Sequence, residues 1–142
     1  MKTFVKITLT AAVFTLMSAM PLMGQIVNGL TFKASAPFYA GNTKLPAGAY
    51  TITQSSIDNN ELLIQSTGSE KYSAFFDAIA TQSEQPHAKT EVTFHKYGST
   101  DYLSRVWIQG QQYGLQAEET KAEKKAAAAG APVEHSVPGT KL

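Results

Sequence analysis

The sequence predicts an all-β fold: a small antiparallel β-sandwich or barrel of six or seven short strands. Three observations carry this expectation. Apolar and polar residues alternate in short runs that recur roughly every ten residues between residues 30 and 115. Turn-forming clusters separate the runs: Gly41-Asn42, Leu45-Pro46-Ala47-Gly48, Asp58-Asn59-Asn60, Thr67-Gly68-Ser69 and Gly98-Ser99-Thr100-Asp101. Between them there is no room for the helix of a dozen residues that a parallel crossover requires.

Taken in order, residues 30–39 read as extended, with Pro37 marking an edge or a bulge. Pro46 fixes φ in the turn before a strand over 49–54, which places Tyr50 and Ile52 on one face. Residues 61–66 form a strand in which Leu62 and Ile64 alternate against Leu63, and 71–76 form the next. Residues 77–88 are the longest connection. A hairpin follows, with strands over 90–97 and 102–109 and a short last strand after Gly114. Val92 and Phe94 share one face of its first strand, opposite Thr93, His95 and Tyr97. Two registers are open. Pairing Phe94 with Val106 sets His95 against Arg105 and leaves Tyr97, Leu103, Arg105 and Trp107 on the outer face. Pairing Phe94 with Arg105 sends Trp107 into the core.

The ends differ from this middle zone. Lys2 and Lys6 precede an apolar run over 7–17, which is too short to span a bilayer core of roughly 30 Å. A basic start, a short apolar stretch and small residues after it describe a secretory signal peptide over 1–24. Cleavage after Gly24 leaves Gln25 first, with a cut after Ala19 as the alternative. The chain is therefore expected in the periplasm or outside the cell, with no membrane span after cleavage. Residues 25–115 form the β-domain. Residues 116–142 read as a tail, marginally helical over its Ala-rich half and then disordered. Thr120 and Glu123 have the spacing of a capping box.

Composition narrows the function. Of the 142 residues, 43% are hydrophobic and 16% charged, which excludes a wholly disordered chain and a polytopic membrane protein. Cysteine is absent, so no disulfide, thiolate catalyst or zinc ribbon is available. Losing residues 1–24 removes Lys2 and Lys6 from the 12 basic residues and nothing from the 11 acidic ones, leaving a net charge of about −1. Without a basic surplus, nucleic acid is not an expected partner.

Several phrases occur together: Leu45-Pro46-Ala47-Gly48-Ala49-Tyr50-Thr51-Ile52, Leu62-Leu63-Ile64, Ser73-Ala74-Phe75-Phe76, Phe94-His95-Lys96-Tyr97-Gly98 and Leu103-Ser104-Arg105-Val106-Trp107. Their order resembles a group of small exported bacterial β-domain proteins of unknown function. The resemblance covers roughly residues 36–110 and implies export and a compact β fold. It implies no activity and carries over no site residues. The Leu-Pro-Ala-Gly-x-Tyr-x-Ile phrase is also similar to a hairpin of Ig-like and transthyretin-like sandwich modules.

No catalytic set is evident. There is no Gly-x-Ser-x-Gly elbow, no Ser-x-x-Lys pair and no glycine-rich phosphate loop. His87, His95 and His135 stand at no ligand spacing, so neither a metal nor another cofactor is expected. Aromatic residues are the enriched feature of the second half. Rings beside an Arg donor are what a sugar or peptide groove uses, so His95, Tyr97, Arg105 and Trp107 are the candidate ligand-binding residues. The expectation is a non-enzymatic exported β-domain that binds a protein or small ligand, or that serves a structural role in the envelope. The alternative is a small secreted hydrolase or isomerase using His95, Tyr97 and Arg105. An Arg beside His95 would lower the basicity that such chemistry needs.

Overall fold

A computed structural model describes residues 29–55 and 60–142. The expected signal peptide and the start of the Asp58-Asn59-Asn60 turn lie outside these residues. The order of elements is β1 (Leu30–Ala34), β2 (Phe38–Ala40), β3 (Thr43–Leu45), β4 (Gly48–Gln54), β5 (Glu61–Ser66), β6 (Ser73–Gln82), β7 (Glu91–Tyr97), β8 (Thr100–Trp107), β9 (Tyr113–Ala117), α1 (Lys121–Ala129) and β10 (Val133–Lys141). Among the described residues no helix is long and apolar enough to cross a membrane.

Eight strands close into an antiparallel barrel in the order β8-β7-β10-β1-β4-β5-β6-β9, with β9 returning to β8. Of the two architectures that the alternation allows, the barrel is the one formed. The wall between β6 and β8 is made in two halves. β9 pairs with β6 over Ala78–Gln82 and with β8 at Arg105 and Val106. Further along the same edge of β8, β2 pairs in parallel at Asp101 and Tyr102 and carries β3 with it. The β2–β3 turn lies against β6. A Cβ on Gly41 would stand 3.0 Å from that of Phe76, and the backbone there has a φ of +58°, so both space and conformation favour glycine.

Four rings from four strands fill the interior. Phe38 meets Tyr50 and Phe94 edge-on, with centroids 5.3 and 5.4 Å away. Phe32 lies 6.0 Å from Phe38 and Tyr50 and 6.1 Å from Phe94. Such pairs each add about 0.5–1.5 kcal/mol beyond the area they bury. Tyr50 is 1% exposed, and its hydroxyl donates to the Pro46 carbonyl, so the turn before β4 is tied to the ring that follows it. Burial pushes the Tyr50 phenol above its usual range, with a smaller contribution from Tyr72.

The structure corrects four expectations. Among the described residues ten strands form rather than six or seven. The extra ones include the three-residue β2 and β3, which tertiary pairing extends despite their brevity. β6 continues to Gln82 through the expected connection over 77–88, because Ala74, Phe76 and Ala78 keep facing inward as its partner changes from β5 to β9. Residues 130–142, expected to be disordered, supply β10, which pairs with β7 over Val133–Pro138 and with β1 at Pro138's neighbours Gly139 to Lys141. Main-chain bonding to two open edges outweighs its polar composition, since none of its side chains is fully buried. Neither expected hairpin register occurs: Thr93 pairs with Arg105 and Phe94 with Leu103. The unopposed residue, Ser104, is a β-bulge, which lets Leu103 and Val106 both face the core.

Val92 and Phe94 are 0% and 1% exposed, whereas His95 is only half-buried. Denaturant titration should therefore show Phe94→Ala costing about 3 kcal/mol or more. His95→Ala should cost less than about 1 kcal/mol. The reverse order would mean that the faces of β7 are misassigned.

Candidate functional site

The hairpin bulge divides the four candidate residues. His95 and Tyr97 point outward at the turn end of β7 and meet edge-on with centroids 6.4 Å apart. Arg105 lies beyond the bulge, opposite Thr93, and its Nε donates to Gln116 Oε1 at 3.3 Å. Trp107 lies at the far end opposite Glu91, where it stacks flat on His87 at 4.7 Å. It is buried outside the core, against Gly114, where a Cβ would stand 2.6 Å from its ring. Leu103, expected on the outer face in one register, is in the core. The continuous surface expected from Tyr97 through Leu103 and Arg105 to Trp107 is therefore not formed.

A different cluster surrounds His95 and Tyr97. Tyr102, directly opposite His95, meets Tyr97 edge-on at 5.8 Å. Tyr39 of β2 stacks on Tyr102 at 5.1 Å and 17°. The four rings His95, Tyr97, Tyr102 and Tyr39 form one chain of contacts across three strands. Alternation could have placed Tyr102 beside His95, but Tyr39 arrives through the parallel pairing of β2 with β8, which sequence spacing does not announce.

Topology lays α1 over this end of the hairpin. The chain leaves β9, which is paired with β8, and must enter β10 beyond β7. The connection therefore crosses β8 and β7. The helix begins with one half of the expected capping box: Thr120 Oγ1 accepts the Glu123 backbone N–H at 3.2 Å, while the Glu123 side chain is buried rather than returned to the Thr120 N–H. Glu123 is the helix's buried residue, 7% exposed. Burial pushes its carboxyl up to about 7, and the charge of Glu119 adds to the shift. Burial also raises the phenols of Tyr97 and Tyr102. Glu123 contributes to both, and to Tyr102 after Tyr39. Tyr97 and the C-terminal half of α1 border an open hollow of about 370 Å³ lined by Tyr97, Gly98, Ala126, Ala129, Gly130 and Ala131.

His95 has two polar neighbours, Ser104 Oγ at 3.3 Å and Glu134 Oε2 at 3.4 Å. Both address Nε2. A nucleophile–base–acid relay instead uses both ring nitrogens. The other histidines have separate partners. His87 contacts Glu91 at 2.6 Å, and His135 contacts the buried Asp101 at 2.8 Å while lying flat on Phe94. Among the described residues no three His, Cys, Asp or Glu side chains are grouped to hold a metal ion.

The raised Glu123 carboxyl links stability to pH. An ordinary carboxyl ionises near 4.5 when unfolded, while this one holds its proton to about 7 when folded. Below both values there is no cost. As pH rises between them, the unfolded chain ionises first and stability falls, and above both the loss is constant. Glu123→Gln should thus raise the unfolding free energy by about 1–3 kcal/mol at pH 8 and leave it unchanged at pH 4. Equal effects at both pH values in paired denaturant titrations would show that the carboxyl is not buried in the folded state.

Comparison with protein-family models, with curated proteins and with solved structures finds no match for this chain.

Proposed function

We propose that this chain is an exported, non-catalytic binding domain. Its ligand site is the ring platform of Tyr39, Tyr97, Tyr102 and His95, beside the hollow under the C-terminal half of α1. The observation that carries this reading is the unbroken contact of the four rings next to an open concavity. Ring faces next to a few polar atoms take flat or apolar-faced ligands such as sugars and aromatic groups. Of the four candidate residues, His95 and Tyr97 belong to this site, and Arg105 and Trp107 do not. Export rests on the basic start and short apolar run of residues 1–24. The periplasm or the cell exterior is the corresponding compartment.

The hydrolase or isomerase alternative has less support. Arg105 is bonded to Gln116 rather than to His95, and the neighbours of His95 share one ring nitrogen. NMR titration of the full chain with a panel of neutral mono- and disaccharides and aromatic alcohols tests the proposal. Saturable shifts should centre on Tyr97, Gly98 and Ala126. Tyr97→Ala should weaken binding at least tenfold without loss of fold. Binding centred on another face, or a Tyr97→Ala variant that binds as the parent does, would overturn the assignment.

A further inference from the structure

The outer face of β6 leaves apolar surface in water. Phe75 is 60% exposed and Ile79 49% exposed, with the exposed Asp77 midway between them. Leu62 and Ile64 face the core, so alternation turns Glu61 and Leu63 of β5 to the same outer side. In register, the half-buried Leu63 lies opposite Phe75, and Glu61 lies opposite Asp77. Two carboxylates therefore stand directly across a strand pair, about 5 Å apart at Cβ, where like charges are destabilising. Glu118 joins them, because its N–H donates to the Asp77 carbonyl at 2.9 Å. Phe75, Asp77, Glu118 and Glu119 border one open hollow of about 240 Å³. Among the described residues, none of the carboxylates of Glu61, Asp77, Glu118 and Glu119 is in an ion pair.

The helix α1 carries the complement. Lys121, Lys124 and Lys125 are exposed, as are Ala122, Ala127 and Ala128, and among the described residues no carboxylate pairs with these lysines. Only Glu119 and Thr120 separate the helix from Glu118. We propose that the outer face of β5 and β6 docks α1 of a second copy of this chain. Lys121 and Lys125 are one turn apart, about 6 Å along the axis, which matches the spacing of Glu61 and Asp77. One lysine stem enters the hollow beside Phe75, and the alanines cover Phe75 and Ile79. Exposed charge pairs contribute little each, so withdrawal of the apolar side chains from water supplies most of the attraction and the charges set the orientation. Acidic face and basic helix adjoin on one chain, so a two-fold axis forms the contact twice, the commonest symmetry of soluble oligomers. Stacking one β6 face on another would instead set carboxylate against carboxylate. The inference goes beyond the ring-platform reading. Lys121 and Lys125 stand two residues either side of the buried Glu123 and therefore on the opposite side of the helix.

Sedimentation velocity of the full chain over a range of concentrations, at about 50 mM and about 500 mM NaCl, tests this. A monomer–dimer equilibrium should appear and weaken at least tenfold at the higher salt. Asp77→Lys and Lys125→Glu should each weaken it at least tenfold, and Phe75→Ser provides a third variant that leaves the charges alone. An equimolar mixture of Asp77→Lys and Lys125→Glu should associate as the parent does, because every contact then pairs opposite charges. Carbodiimide cross-linking of mixed light and heavy isotope-labelled chains should join Lys121, Lys124 or Lys125 of one copy to Glu61 or Asp77 of the other. A chain that stays monomeric throughout, or that associates equally well with each charge reversed, would overturn the proposal. Cross-links from Asp77 to lysines outside α1 would overturn it as well, by giving this face to another part of the copy.

Discussion

Two strand edges, one on β1 and one on β7, would stand open if the chain ended at the helix. An open edge exposes a row of unpaired N–H and C=O groups, and a barrel removes this liability only by closing. β10 closes it. Its partners are Leu30, Thr31 and Phe32 on one side and six residues of β7 on the other. The strand contributes little to the core beyond Val137, which packs against it, and the half-buried His135. Its stability comes from the ladder, from the His135–Asp101 contact and from the Thr93–Ser136 bond across to β7. Pro138 breaks into the ladder where the chain passes from β7 to β1, and the Gly139 N–H there donates to the Thr90 carbonyl.

That closure also determines the candidate site. β9 and β10 lie on opposite sides of the β7–β8 hairpin, so the segment joining them must cross its outer face. The crossing segment is a short alanine- and lysine-rich helix with no apolar stripe; it buries Glu123, and its Ala126 and Ala129 share a hollow with Tyr97. The same strand brings Glu134 beside His95. The site is thus a consequence of how the barrel is shut, and its electrostatics follow from burying an acid where the crossing makes contact.

Much of the wall was legible in the sequence because alternation is strict there. Ile52, Leu62, Ile64, Val92 and Phe94 all face inward as period-two patterning requires. The turns at Gly41-Asn42 and Gly98 and the Thr120 cap follow from local chemistry in the same way. β10 was illegible because a polar strand containing Pro and Gly has the composition of a tail, and only its two neighbours make it a strand. The hairpin register was illegible because one bulged residue, Ser104, shifts every later pairing. Of the site, His95 and Tyr97 were visible as outward residues of a strand. Tyr39 and Glu123 reach the site through long-range pairing and a crossing helix, which leave no local signal. Trp107 is buried, as a lone Trp usually is, but beneath a loop and outside the core.

Closure by β10 is the claim on which the rest depends, and native-state amide hydrogen exchange reads it directly. If β10 is an integral wall, the amides of residues 133–141, Pro138 aside, should be protected to within about tenfold of those of β7 and β1, because all three strands open together. Exchange of residues 133–141 at the rate of an unstructured peptide, with β1 and β7 still protected, would contradict it. The barrel would then be open, and the helix would lack the anchor that holds it over the tyrosines.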